Sequence, residues 1–553
     1  MMDITVTFPS GAVRRFPAGT QAGEILSDRE FAAPPSPIVA VLANNALSSL
    51  SYPIDINCRL SPVLLASREG AGIYRRSLCF LAAIAAREAF PGRRLVLGHS
   101  LGHGYLYYFD GQGEVAAEDL AALGARLREL ASRRLPIRRQ VIAYEEAIRY
   151  FQEARQADTV LLLKNRNEPK VPVYFCGDFM DLAHAPLVPD TGLLSVFDLT
   201  AYPPGFLLRY PPWNHPQRMA SFEENPVLAA IYREYKDWGK ILGVSCVGHL
   251  NDLIAERRVR EFIQVAEALH DKKIALIADR INERRDTVKV VLIAGPSSSG
   301  KTTFSKKLAV QLRVLGRNPV LLAQDDYFVP RELTPRDEEG NYDFESLAAI
   351  DVGLLNRQLL ALEAGEEVEI PRFDFHSGQR RPAGVRLRLP GRGVVLLEGI
   401  HCLNDELTPA IPAGSKYKAY VSALTQLNLD DHNRISTTDN RLLRRIVRDH
   451  QFRGRPAGGT LSMWQSVRNG EDRNIFPFQN TADSAFNSAL DYELSVLKVY
   501  AEPLLKTVKP DHPKFHEALR LLSFIANFAP IPPGWVPDYS ILREFIGESA
   551  FNY

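Results

Sequence analysis

The stretch VVLIAGPSSSGKTT, residues 290 to 303, constrains this chain more than any other. An apolar run ends in a loop of the form G-x-x-x-x-G-K-[ST], with Gly295, Gly300, Lys301 and Thr302 at the fixed positions, and the helix-like TTFSKKLAVQLRVLG follows. The strand–loop–helix setting turns the spacing into a structural statement. Glycines let the backbone N–H groups of Ser297, Ser298, Ser299 and Gly300 turn toward an anion. The helix start, at Lys301 to Thr303, adds the positive end of a dipole. Lys301 reaches β and γ oxygens, and the Thr302 hydroxyl can ligate Mg²⁺. The bland alternative is a Gly- and Ser-rich turn between a strand and a helix. A triphosphate such as ATP, with Mg²⁺, is the expected ligand. The loop alone does not decide whether water or an alcohol receives the phosphate.

The surrounding pattern narrows this. From VKVVLIAG to about residue 505, strands alternate with helices, which implies a largely parallel, doubly wound sheet. The strand NPVLLAQDDYF ends in Asp325 and Asp326. Strand C-terminal ends line the ligand crevice in such a sheet, and a carboxylate there can accept a proton from an attacking hydroxyl. Capping of a turn or helix is the other use for such aspartates. GVVLLEGIH ends in Glu398, an acid placed to hold Mg²⁺. In NRLLRRIVRDHQFRGRPAGG, Arg441, Arg444, Arg445 and Arg448 fall on one helical face, with Arg453 and Arg455 beyond. The acids close by in sequence, Asp439 and Asp449, are too few to balance them. A mobile arginine lid over phosphates is expected, against the alternative of a solvated face.

Length and composition frame the rest. A chain of 553 residues suggests about three or four domains. Its net charge of +1 argues against a protein-wide attraction to nucleic acid or anionic membrane. Cys58, Cys79, Cys176, Cys246 and Cys402 have no CxxC spacing and read as reduced thiols. The start MMDITVTFPSGAVRRF lacks a signal-type apolar core, and no apolar run approaches the roughly 20 residues of a membrane span. A cytoplasmic protein without a membrane partner is expected. Residues 1–65 read as a small β-rich unit, 70–210 as a mixed unit, 220–286 as a helical connector, 287–505 as the α/β unit and 506–553 as a helical tail. The Pro-rich YPPGFLLRYPPWNHPQ, 202 to 217, reads as a linker or irregular segment.

The ordered set GPSSSGKTT, LLAQDDYF, NYDFES, IPRFDFHSGQR, VVLLEGIH and NRLLRRIVRDHQFRGR resembles the uridine kinase and phosphoribulokinase family of P-loop kinases, over about residues 285 to 505. The resemblance implies that Asp325, in QDDYF against the family's Q-D-S-F-Y, is the general base on a nucleoside 5′-hydroxyl. It implies that Asp343 binds the ribose hydroxyls, and that Phe328, Arg372, Phe373, Asp374 and His376 contact base and sugar. Thr302 and Glu398 then form the Mg²⁺ site. Lys301 with Arg441, Arg445, Arg453 and Arg455 supplies the cationic catalytic groups. Gly378 occupies the position of the histidine that reads the pyrimidine edge in uridine–cytidine kinases, so uridine, cytidine, thymidine and a non-nucleoside alcohol all stay open.

Residues 1 to about 65 resemble the TGS domain, a β-grasp module, of threonyl-tRNA synthetase. Residues 70 to 210 resemble that enzyme's editing region, through IYRRSL, LVLGHSLGHGYLYYFDG and GDFMDLAHAPLVPDTG. His99 and His103 keep an H-x-x-x-H pair. Ala183 and Leu187 stand where a C-x-x-x-H is expected, which removes two of four ligands from a tetrahedral metal site. A repurposed domain follows from the resemblance: one that docks on the kinase unit, binds RNA weakly or senses a ligand. The expected fold is thus α/β, a P-loop kinase with a doubly wound, mostly parallel sheet, preceded by a β-grasp and an α+β domain. The expected function is phosphorylation of a pyrimidine nucleoside by ATP, in a homo-oligomer. The alternatives are a kinase for another alcohol such as a sugar phosphate, with Arg372, Arg380 and Arg381 as a second phosphate pocket, and a tRNA-associated binding or editing protein with a regulatory P-loop.

Overall fold

In the computed structural model the described residues are 3–27, 34–111, 113–336, 340, 342–374 and 377–552. His376, implied above as a substrate contact, lies outside them.

The first unit is a sheet of five strands in which Asp3–Thr7 pairs antiparallel with Val13–Pro17 and parallel with Cys58–Leu64. Its strands bury Ile4, Val6 and Leu60 on one side, and Val39, Ala40 and Val63 in the core of the next region. The helix Arg68–Ala89 follows, capped by Ser67, whose Oγ accepts from the Gly70 N–H at 3.0 Å. It runs beside a four-stranded sheet in the order 198–202, 205–209, 104–109, 95–100.

The Pro-rich stretch corrects the linker reading. Asp198–Tyr202 and Gly205–Arg209 form an antiparallel hairpin inside that sheet, with Phe206, Leu207 and Leu208 fully buried. Pro203 and Pro204 supply the turn, and a Cβ at Gly205 would come within 1.8 Å of the Tyr107 carbonyl oxygen. Prolines at the bend, not in the paired positions, leave the ladder intact.

The third layer is a five-stranded parallel sheet: β1 (Val290–Ala294), β2 (Asn318–Ala323), β3 (Gly393–Glu398), β4 (Lys416–Ser422) and β5 (Ser484–Asn487), in the order β2-β3-β1-β4-β5. β1 and β4 are buried throughout; β1 accordingly reads as an unbroken apolar run, while the lysines of β4 give their ammonium groups to the Thr408 and Leu403 carbonyls. Register aligns Ile293 and Ala323 with Glu398. All three strands therefore end at one edge, where ligands bind in open parallel sheets. The helices that carry the site are α1 (Lys301–Val314), α2 (Thr437–Arg453), α3 (Ala457–Asn474) and the short α4 (Arg543–Ile546).

One face of this sheet shares a core with the rest of the molecule. Val291 and Ile293 lie in the same buried cluster as Phe151, Leu162, Val173 and Leu182 of the front region, Phe262 and Ile274 of the connector, and Ile541 of the tail. The opposite face, with Val290 and Leu292, packs with Tyr327, Phe328 and Phe373. No described helix is long and apolar enough to cross a membrane.

Candidate active site

Gly300 is the N-cap of α1 at φ +83°, a left-handed conformation that favours glycine. Gly295 faces β4 so closely that a Cβ would lie 2.0 Å from the Val421 oxygen. These two positions let the loop curl over the strand edge. Lys301 folds back onto it, donating to the carbonyl oxygens of Gly295 at 2.9 Å and Pro296 at 3.3 Å. The Ser298 and Ser299 hydroxyl oxygens are buried with no hydrogen-bond partner among the described residues, as expected of a cradle shaped for an anion.

The Thr302 hydroxyl donates to Glu398 Oε1 at 2.7 Å, so the two groups implied for Mg²⁺ meet. Burial lifts the Glu398 carboxyl to about 7 although Lys301 and Thr302 favour its charged form. A hard divalent cation suits such a pair, because its oxygen ligands accept a charge that burial otherwise disfavours. The residues present therefore fit Mg²⁺, held by the Thr302 hydroxyl and faced by Glu398.

Asp325 follows β2 and is open to solvent. The protein mass around it raises its carboxyl above the usual range, while Lys301, Arg453 and Arg448 pull the other way. All three cations thus act on the same carboxylate. Asp326 is a positioning group instead: it pairs with Arg372 at 2.6 Å and accepts from the Phe373 N–H at 3.4 Å. Phe328 and Phe373 meet with ring centroids 5.4 Å apart, and Phe344 lies 6.0 Å from Phe328. Asp343, next to Phe344, accepts from the Glu345 N–H at 3.1 Å and is 3.6 Å from Arg473. Asp374 is half-buried, and its carbonyl accepts from the Gly378 N–H at 2.8 Å. At Gly378, the position of the family's histidine, a Cβ would meet the Arg331 guanidinium at 2.5 Å. An arginine fills that space here.

The arginine face of α2 differs from the expected lid. Arg441 and Arg444 are 1% and 0% exposed. Arg441 forms an ion pair with Glu471 and donates to the Ser297 carbonyl at 2.9 Å. Arg444 pairs with Glu493 at 2.5 Å and donates to the Ser298 carbonyl at 3.3 Å. Arg445 donates to the Ser297 hydroxyl oxygen at 2.6 Å and lies 3.3 Å from Asp449. Glu471 also accepts from the Ser297 N–H at 3.0 Å. The missing acids come from α3 and the segment after β5, so Arg441, Arg444 and Arg445 brace the loop from behind. Arg453 is 53% exposed and Arg455 partly so; these two remain available as moving cations. Repulsion from Arg448, then burial, lowers Arg453 to about 10, the mark of cations crowded with too few partners.

Several residues around this site carried no local signal. Glu345 is lifted to about 7 by burial and by Glu471, and it feels Arg445, Asp325 and Lys301. Only its place in NYDFES hinted at it. Glu471, Glu493 and Glu544 are ordinary acids in sequence and meet the loop only through the fold.

The front-region residues stand elsewhere. His99 stacks on Tyr232 with centroids 3.7 Å apart, and His103 lies edge-on to Tyr210. His184 and Leu187 line a small cleft with His432 and Asn433 of the loop before α2, while Ala183 packs on the front-region core. There His184 Nε2 lies 2.5 Å from Asp430, and His432 Nδ1 lies 2.9 Å from Asp181. The described residues that come together as metal ligands are Asp158, Cys246 and His249. Arg94 already pairs with Asp158 at 2.7 Å and with Asp431 at 2.8 Å, so that carboxylate is balanced without an ion.

Residues 290–495 match the model of the Phosphoribulokinase / Uridine kinase family. The front region is similar to threonine–tRNA ligases. It is 31% identical over 196 residues to that of Marinobacter nauticus, covering 35% of this chain and 30% of that protein. To that of Carboxydothermus hydrogenoformans it is 31% identical over 197 residues, covering 35% and 31%. The chain thus spans less than a third of the length of these curated relatives. Among solved structures, "a Possible Uridine Kinase" from Bacillus stearothermophilus is 19% identical with a TM-score of 0.25, over 38% of this chain and 100% of that one. D-glycerate 3-kinase from Cryptococcus neoformans var. grubii is 14% identical with a TM-score of 0.22, over 46% and 87%. Likenesses this distant say nothing about substrate. The loop, the parallel sheet and the match to the Phosphoribulokinase / Uridine kinase family model thus fall in one segment, residues 290–495, which is joined to a front region similar to part of threonine–tRNA ligase.

Proposed function

We propose that this chain transfers the γ-phosphoryl group of ATP to the 5′-hydroxyl of a pyrimidine nucleoside. The observation that carries the reading is Asp325, a solvent-open carboxylate at the strand edge, facing Lys301 and Arg453. Beside it stand the aromatic pair Phe328–Phe373 and the segment of Asp343. A switch that hydrolyses its nucleotide has no use for an aromatic wall and a second acid next to the base.

In this reading Phe328 and Phe373 hold the flat base, Asp343 takes the ribose hydroxyls, and Asp374 and Arg372 complete the acceptor side. Asp325 takes the proton of the 5′-hydroxyl as its oxygen bonds to the γ-phosphorus, and the bond from that phosphorus to the ADP oxygen breaks. Lys301, Arg453 and Arg455 offset the charge on the transferring group. Thr302 and Glu398 would hold Mg²⁺, whose charge would offset that of the nucleotide phosphates. Arg441, Arg444 and Arg445 act at one remove, by fixing the loop.

A sugar-phosphate acceptor would need free cations for its own phosphate. Arg372 is paired with Asp326, and Arg380 is held by Asp351 at 3.1 Å and by the Phe328 carbonyl at 3.0 Å. Two of the three arginines of such a pocket are thus engaged and the third, Arg381, is exposed, which favours a nucleoside. The test is ADP release with ATP·Mg²⁺ and, in turn, uridine, cytidine, thymidine, ribulose 5-phosphate or no acceptor, in parallel with Asp325→Ala. Turnover that needs one nucleoside and disappears in the variant is expected. Turnover without an acceptor, or equal in both chains, would sink the reading.

A further inference from the structure

The start of α1 already carries an anion. The Thr303 N–H donates to Glu544 Oε2 at 3.0 Å, and the Thr303 hydroxyl donates to the same atom at 2.7 Å. Glu544 belongs to α4, in the C-terminal tail, 241 residues further along the chain.

The tail is built against this site. Ile541 presses on the loop so closely that a Cβ at Gly300 would lie 2.6 Å from it. Leu542, Phe545 and Ile546 are buried, and the Arg444 guanidinium lies 4.9 Å from the centre of the Phe545 ring. Lys307 donates to the Tyr539 carbonyl at 3.3 Å, and Lys306 donates to that of Asn552. Arg543 donates to the Val536 carbonyl at 2.6 Å. The charge of Glu544 is felt by Glu398 and Lys306, which places it in the electrostatic field of the phosphate site.

An N–H at a helix start has one hydrogen to give. In a loop of this type, the N–H groups running into the helix are those that cradle the α and β phosphates. A carboxylate and a phosphate oxygen cannot share the Thr303 donors, and their charges repel. We propose that Glu544 is a built-in occupant of the nucleotide site: the tail holds its carboxylate where a nucleotide phosphate oxygen belongs, and Glu544 leaves before the nucleotide seats. The proposal rests on the reading of the loop as a triphosphate site.

Two states follow, a closed one with Glu544 on Thr303 and an open one that binds ATP. Apparent affinity is then the intrinsic affinity reduced by the open fraction. Glu544→Gln keeps the shape, removes the charge and shifts the balance toward the open state.

The test is calorimetric titration of the full chain with ATP·Mg²⁺, for wild type, Glu544→Gln and Glu544→Asp, with melting temperatures with and without nucleotide. Glu544→Gln is expected to bind ATP about tenfold more tightly. It should melt earlier than wild type alone and gain more on adding ATP·Mg²⁺. Unchanged or weaker binding by both variants overturns the proposal, and makes Glu544 a helix cap or a part of the bound state. Hydrogen exchange on the unmodified chain keeps the test independent of the variants. Exchange at residues 541–546 should speed up when ATP·Mg²⁺ binds; unchanged or slower exchange overturns the proposal. If no chain binds ATP, the triphosphate reading has failed and this proposal with it. Binding that ignores residue 544 defeats this proposal alone.

Discussion

The phosphate loop and the front-region cleft at Asp181 and His184 are both lined with polar side chains, and the molecule treats them oppositely. At the loop, Lys301 has only backbone oxygens to hold, and Asp325 makes no hydrogen bond among the described residues. In the front cleft, His184 meets Asp430, His432 meets Asp181, and Thr159 and Arg94 take Asp431. In each of these contacts a front-region group meets one from the other half of the chain. A satisfied polar cluster holds pieces together, and one left unmatched can act on a ligand. The same residue types serve as cement in one region and as reagents in the other. The difference lies in the loop Asp430–Arg434, which fills the front cleft and then leads directly into α2.

This contrast can be broken by substitution. The largest effect is expected at Asp325. Asp325→Asn should lower kcat by about 10²- to 10⁴-fold while ATP affinity stays within about twofold; a loss confined to KM would move Asp325 from reagent to binding group. Next comes the split within one arginine face. Arg444→Met leaves the buried Glu493 without its cation and with only the Asn440 amide as side-chain partner, a loss of about 3–5 kcal/mol of stability that urea unfolding would register. Arg453→Met should cost less than about 0.5 kcal/mol of stability and act on kcat instead. Equal stability losses would show that the two arginines do the same job.

A third prediction concerns the matched cluster. Burial pushes His432 down, yet Asp181 and the neighbouring carboxylates outweigh it and raise the imidazole to about 9. A folded-state value above the ordinary 6.5 means that stabilisation is complete below about pH 6.5 and is lost as pH climbs through about 9. Urea midpoints between those limits should fall for wild type and stay flatter for Asp181→Asn. The smallest effect is a proton. Glu398, raised by burial to about 7, is mostly protonated near pH 6.5 and should release a fraction of a proton when ATP·Mg²⁺ binds. Titrations in two buffers of different ionisation enthalpy would measure it, and Glu398→Gln should abolish it.

Sequence alone brought out the loop, the parallel sheet and the acids at the strand ends, because each rests on local spacing and on strands buried on both faces. It misread the arginines. Their partners, Glu471 and Glu493, lie 30 and 49 residues from Arg441 and Arg444, and pairing over such separations is set by helix packing and leaves no local signal. The hairpin 198–209 was hidden by prolines that mark a bend as readily as a linker. Glu544 was illegible for the same reason as the two glutamates, since only the fold brings the tail to Thr303.

The core shared by Phe151, Val173, Phe262, Ile293 and Ile541 has a thermodynamic consequence. Units that own separate cores melt separately, whereas a core common to several segments ties their unfolding into one event. Heat should therefore take the segments that share this core, from Phe151 and Val173 through Phe262 and Ile293 to Ile541, through one calorimetric transition. The sheet at Asp3–Leu64 has its own cluster of Ile4, Val6, Phe8 and Leu60 on one side, while Val39, Ala40 and Val63 join the core of Ile73, Leu78 and Phe206, so its melting should follow that front-region core. In this molecule, cooperativity follows the buried side chains across the borders drawn by sequence resemblance.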